Sequence, residues 1–351
     1  MARRNRHRVW VCLCSAVAGC APVGYGSESR PGALDDAAAR RDITNVVDAS
    51  DASIADDRVA PNDTPVVDVA DVPTKSTSPQ RSCTIATAGC GLMEVPGATF
   101  TMGDTDAQAS SPVQPGVTVS TFAVDRYEVT VARFRRYWDA RMPPIAGSAV
   151  VYPGMASLAV AGLPSEPTRT SAASPCNWSP TPDAREHHPI NCVDWVTAMS
   201  FCVWDGGRLP TEAEWELAAR GTDGRPWPWG NTDDAARSCD DRLATRAGTC
   251  AVDDGAFASG ASPSGAVQMV GNVWEWCADW YAPYTSTGMG CWGGSARVDP
   301  VCSPGASMAR MLRGGGAWSQ SDARYSRAAS RSAGTESMRD PGRGFRCVRA
   351  R

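Results

Sequence analysis

Histidine is scarce in this chain. His7, His187 and His188 are the three in 351 residues, and no Cys-X-X-Cys occurs. Zinc of the structural-finger type and a three-histidine iron site are therefore not expected, because neither has its ligands. The N-terminal apolar run, Val9 to Ala18, is too short to cross a bilayer as a helix. The formal net charge is only -4, with the basic residues scattered, so composition gives no basis for a nucleic-acid partner or an electrostatic grip on anionic lipid. From Ala21 to Ser82 there is no Trp, Phe or Cys, and Tyr25 is the one aromatic. A segment of that composition, rich in Asp, Ala, Ser, Thr, Pro and Val, cannot bury enough apolar surface to offset its ordering entropy.

What is present at the N-terminus reads as an export signal. Arg3, Arg4, Arg6 and Arg8 precede the apolar run, which ends in Val17-Ala18-Gly19-Cys20. That ending resembles the lipobox of bacterial lipoproteins, in which the cysteine receives a diacylglycerol before cleavage. The expected organisation is a signal peptide over 1–19, lipidated Cys20 with a flexible tether over 20–82, and a folded domain over 83–351. The expected location is the cell envelope, on the outer membrane, with the lipid as the sole membrane contact.

Eleven cysteines lie beyond Cys20, an odd number, so export implies disulfides with one thiol left over. Spacing suggests Cys83 with Cys90, Cys239 with Cys250, and Cys291 with Cys302, while Cys176 and Cys192 bracket a loop. The Trp- and Gly-rich region after Cys83 reads as one irregular, loop-rich α+β domain. Gly97 to Met102 and Thr121 to Val124 read as strands. Thr130 can cap a helix presenting Val131, Phe134, Tyr137 and Trp138, blocked by Pro143-Pro144. Trp195, Ala198, Met199, Cys202 and Val203 recur at helical spacing before Gly206-Gly207. Thr211 and Glu214 form a capping box, and Gly221 closes that helix. Most of the remaining chain reads as loop.

Several blocks together resemble the sulfatase-modifying-factor family, which includes the formylglycine-generating enzyme. They are Phe122-Ala-Val-Asp-Arg-Tyr-Glu-Val-Thr130, Pro189-Ile-Asn-Cys-Val-Asp-Trp195, Gly207-Arg-Leu-Pro-Thr-Glu-Ala-Glu-Trp-Glu216, Trp227-Pro-Trp-Gly-Asn231, Val270-Gly-Asn-Val-Trp-Glu-Trp276, Leu312-Arg-Gly-Gly315 and Gly344-Phe-Arg-Cys347. They run in the family's order from about Leu92 to the end. The resemblance implies a compact fold related to the C-type lectin fold and a disulfide between Cys202 and Cys347. It also implies a calcium loop in which Gly271 and Val273 offer carbonyls and Glu275 its carboxylate, with Gln268 where the family has asparagine.

In the formylglycine-generating enzyme, two cysteines after the Arg-Gly-Gly block bind copper(I), which activates oxygen to convert a sulfatase cysteine to an aldehyde. Here Ser319 stands at the first position and Ala323 or Arg324 near the second, with no thiol between Cys302 and Cys347. A hydroxyl and a guanidinium are not copper(I) ligands. The expected cofactors therefore favour calcium over copper. Three functions stay open at this point: a repurposed member binding an envelope protein or peptide, an oxygen-dependent enzyme using other groups, and sulfatase maturation through a displaced thiol, Cys291 or Cys302. Ser319, Ser321, Asp322, Arg324 and Arg331 are the candidate pocket residues, Asp322 as acid or base.

Overall fold

The structure is a computed structural model. It describes residues 80–84, 87–107, 113–141, 149–150, 158–159, 164–167, 175–240, 242–243, 248–285, 292, 297–302, 308–316 and 323–351. All of these belong to one compact unit, Val66–Arg351. The expected signal peptide, Cys20 and nearly all of the tether lie outside the described residues.

Four strands open the domain: β1 (Leu92–Val95), β2 (Ala98–Met102), β3 (Gln114–Val119) and β4 (Phe122–Asp125). Helix α1 (Val131–Asp139) follows, then the short strands β5 (Ala149–Val150) and β6 (Leu158–Ala159), then α2 (Trp195–Trp204) and α3 (Glu212–Arg220). The C-terminal part contributes β7 (Trp274–Trp280), β8 (Arg297–Val298), β9 (Arg310–Arg313), β10 (Arg331–Gly334), β11 (Arg343–Gly344) and β12 (Val348–Ala350). Beside the β5–β6 pair, the sheets run β1-β4-β12, β2-β3-β8 and β10-β9-β7-β11. The first places the chain's last strand antiparallel to β4, with Val348 opposite Val124. The fold is α+β with three α-helices among the described residues.

Helix boundaries follow their caps. The Thr130 hydroxyl accepts from the Arg133 amide, and Thr211 and Glu214 form the reciprocal capping box at the start of α3. Gly221 ends α3 at a positive φ of 65°, the conformation glycine adopts at no steric cost. Helix α2 begins at Asp194, whose carboxylate accepts from the Thr197 amide. It buries residues on nearly every face, because α1 packs on one side and β7 on the other. Close approach decides Gly207, where a Cβ would lie 2.4 Å from the Val348 carbonyl oxygen.

Two apolar cores result. One gathers Phe100, Val117, Phe122 and Tyr284 around Trp215 of α3. The other packs Phe134, Tyr137, Trp178, Trp195, Phe201, Trp276 and Phe345 between α1, α2 and β7. Disulfides join Cys83–Cys90, Cys176–Cys192, Cys202–Cys347 and Cys239–Cys250. Cys302 is also disulfide-bonded, and Cys291 lies outside the described residues. The free cysteine among the described residues is Cys277, buried in β7.

Two readings need correction. The folded body includes the end of the expected tether. The Gln80 amide donates to Asp125, and Ser82 meets both Asp205 and Arg133, because Asp125, Asp205, Arg133 and Arg349 form a fully buried quartet whose spare oxygens and donors those side chains satisfy. The stretch from Val270 to Arg313 also holds more strand than expected. β7 and β9 are buried on both faces, which removes the alternation that marks a half-exposed strand.

Candidate functional site

A buried ionic frame sets up the surface where the family resemblance places its chemistry. Glu212 and Glu216, one turn apart on α3, face Arg313 of β9 and Arg331 of β10. Arg313 donates to Glu216 at 2.5 Å and to Glu212 at 3.2 Å, and Arg331 donates to Glu212 at 2.6 and 3.0 Å. All four side chains have no exposed surface. Tyr284 adds a hydroxyl donated to Glu212. The frame also grips backbone: Arg313 donates to the carbonyls of Ala328 and Ala329, and Glu216 accepts from the Gly103 amide. Two loops are thereby held, one after β2 and one before β10.

Those loops, with the loop after α3, enclose a cavity of about 380 Å³. Its walls include Asp106, Trp227, Asp233, Arg324 and Arg327. Arg327 donates to Asp104 at 2.8 Å, lies 3.7 Å from Asp106, and stacks with its guanidinium 5.1 Å from the Trp227 ring centre. The Trp227 Nε1–H is buried without an acceptor. Asp233 is paired with Arg242 at 2.7 Å. The cavity thus combines an aromatic wall and charges of both signs.

Of the candidate residues, Arg324 is exposed on this cavity. Ser319, Ser321 and Asp322 lie outside the described residues. Arg331 does not line a pocket; it is 1% exposed because Glu212, Tyr284 and the Ala282 carbonyl enclose it. At the turn expected to hold calcium, the Glu275 carboxylate accepts from Arg346 at 2.8 to 3.0 Å and from the Trp215 indole at 2.8 Å. Gly271 and Val273 do flank that turn, where Asn272 donates to Glu128 and accepts from the Cys250 amide. Gln268 reaches the Cys239 amide. Among the described residues no three His, Cys, Asp or Glu side chains are grouped to hold a metal.

A family model for the sulfatase-modifying factor enzyme 1-like domain matches residues 80–351. The chain belongs to that family. Among its relatives, the formylglycine-generating enzyme of Streptomyces coelicolor is 31% identical over 74% of this chain and 88% of its own length. The inactive C-alpha-formylglycine-generating enzyme 2 of Bos taurus is 33% identical over 54% of this chain and 71% of its own. PvdO from Pseudomonas aeruginosa shares the fold, with a TM-score of 0.52 and 23% identity over 80% of this chain and 99% of that one.

Among the described residues of this sulfatase-modifying factor domain no pair of free thiols is available to hold copper(I). Nine of the described cysteines are in disulfides, and Cys277 is fully buried. Burial, and then the charge of Asp279, push its thiol well above the usual range, which disfavours the thiolate. The sequence supplies no thiol between Cys302 and Cys347. Trp227, Arg327, Asp104 and Asp106 were not singled out as site residues. Their signals were visible in the Trp-Pro-Trp-Gly block and the Gly103-Asp104 turn, but nothing local says that residues 104, 227 and 327 converge.

Asp279 sits under the same frame. Burial raises its carboxyl to about 7, aided by the Glu212 charge and opposed by hydrogen bonds from the Cys302 and Glu212 amides. Its folded value lies above its unfolded value, so between about pH 4 and 7 the folded state holds a proton that the unfolded chain has released. Stability attributable to Asp279 is full below that window and falls as pH rises through it, by about 4 kcal/mol in all. Thermal melts of wild type and Asp279→Asn from pH 4.5 to 8 should differ in slope, the wild type losing stability more steeply. Equal slopes would remove the assignment.

Proposed function

We propose that this chain is an exported, lipid-anchored envelope protein whose sulfatase-modifying factor domain is a binding module rather than a copper oxidase. The observation that carries this is the thiol inventory: the disulfides consume the described cysteines except Cys277, and Cys277 is buried, which disfavours its thiolate. The relationship to an inactive formylglycine-generating enzyme 2 supports a member without oxidation, and the relationship to active enzymes supplies the control. The cavity between Trp227, Arg324 and Arg327 is the surface for a protein or peptide ligand. Its arginine edges suit carbonyl or carboxylate oxygens, and the indole and guanidinium planes give area for stacking.

The direct test is mass spectrometry of a Cys-X-Pro-X-Arg peptide incubated in air with copper and the purified protein, beside an active formylglycine-generating enzyme. The expected result is no aldehyde while the control converts. Aldehyde formation would make this chain an oxidase with other ligands. The anchor rests on Arg3 to Cys20 and predicts a diacylglycerol-bearing Cys20 as the first residue of the mature chain; an N-terminal peptide starting elsewhere without lipid would refute it.

A further inference from the structure

Strand β1 leaves one edge of its sheet open. Its pairing with β4 sets Leu92 opposite Asp125 and Glu94 opposite Ala123. The same register continues to Gly91, whose carbonyl accepts from the Arg126 amide at 2.9 Å, so Gly91, Met93 and Val95 are the residues that turn their backbone groups to β4. Asp125 instead donates its amide to the Cys347 carbonyl, on the far side of β4 from β1. The N–H and C=O of Leu92 and Glu94 therefore point away from β4, and among the described residues they meet no partner.

A hollow of about 790 Å³ runs along this edge. Every residue from Met93 to Ala98 lines it, although successive side chains of a strand point to opposite faces, and β4 contributes none. The hollow therefore lies beside the backbone edge that faces away from β4, rather than over one face of the sheet. Leu217 near the end of α3 stands on its other side with Ala261 and Pro263, and its surface is mostly apolar. Its charged groups are already matched: Glu94 pairs with Arg351 at 3.0 Å, Asp223 with Arg225 at 2.6 Å and Arg220 with Glu216 at 3.1 Å. A charged guest would find no unspent counterion there.

We propose that β1 accepts an extended segment of another protein as an added strand, with uncharged side chains of that segment seated in the hollow. A row of unpaired backbone donors and acceptors is complemented by another backbone in extended conformation. The matched charges and apolar walls then select uncharged, apolar side chains at alternate positions of the guest. β1 is four residues long and Pro96, which has no N–H, ends its row of donors, so the added strand is correspondingly short.

The probe is acetyl-Thr-Val-Thr-Val-Thr-amide, added to the full chain and followed by amide NMR and hydrogen exchange. In the free protein the amide of Glu94, an exposed residue, should exchange fast, and saturating peptide should shift and protect it. Only one edge of the probe can face β1, so methylating its valine nitrogens and, separately, its threonine nitrogens should weaken binding about tenfold in one case and little in the other. Glu94→Pro should also weaken binding about tenfold, whereas Glu94→Ala should bind as wild type, because the backbone and not the carboxylate is used. If Glu94→Pro does not fold, the methylated peptides carry the same test. A probe with aspartate in place of both valines should bind about tenfold or more weakly. Slow exchange of the Glu94 amide without peptide would mean that another segment or a second copy covers the edge, and would overturn the proposal. So would equal weakening by the two methylated peptides, or no binding. The hollow shares no residue with the Trp227 cavity, so these results are independent of the copper test.

Discussion

Replacing Cys202 and Cys347 by alanine should lower stability by about 3 to 5 kcal/mol, the largest loss expected from any single disulfide described. The two cysteines are 145 residues apart and join α2 to the turn before β12. In the chain-entropy account a cross-link acts by restricting the unfolded ensemble, and the restriction grows with the logarithm of the closed length. Cys83–Cys90, closing seven residues, should by the same account contribute about half as much. Both Cys202 and Cys347 are fully buried in the core of α1, α2 and Phe345, so alanine adds a small packing loss in the same direction. Melting temperature should fall by about 6 to 20 °C, at about 2 to 4 °C per kcal/mol for a domain of this size. A loss no greater than that of the Cys83–Cys90 variant would show that loop length is not what this bond contributes.

Glu212→Gln should cost about 3 to 5 kcal/mol, for a different reason. Glu212 pairs with both Arg331 and Arg313, and Arg313 also has Glu216. A neutral amide would take from the buried Arg331 guanidinium the carboxylate that lies 2.6 Å from it, and breaking one side of a buried pair costs more than the pair contributes. The frame also holds the backbone at Ala328 and Ala329, so loosening it should reach Arg324 and Arg327 on the cavity wall. A second readout separates this electrostatic account from general unfolding. The Glu212 charge helps raise Asp279, so its removal should shift the Asp279 titration downward and shrink the pH slope of stability between about pH 4 and 7. Lower stability with an unchanged slope would mean that Glu212 acts through packing alone.

Local chemistry made part of the fold legible before any contact was known. Thr130, the Thr211–Glu214 box and Gly221 mark helix ends because capping is settled within a turn of chain. Neighbouring cysteines such as Cys239 and Cys250 could be paired because short loops leave little choice. Strands β7 and β9 were not legible as strands. Each carries a buried charge, Glu275 in one and Arg313 in the other, at positions that a half-buried strand would give to apolar side chains. Their partners, Arg346 and Glu216, stand 71 and 97 residues away.

The candidate site divides in the same way. Sequence alone determined the family blocks, the odd thiol count and the absence of a cysteine pair after Gly315, because these are properties of residue identity and order. Only the tertiary structure decided that the unpaired thiol among the described residues is Cys277, that Glu275 meets a guanidinium, and that Arg331 is buried. In a low-dielectric interior a charge must find its counterion, and which segment delivers that counterion depends on how distant strands and helices pack.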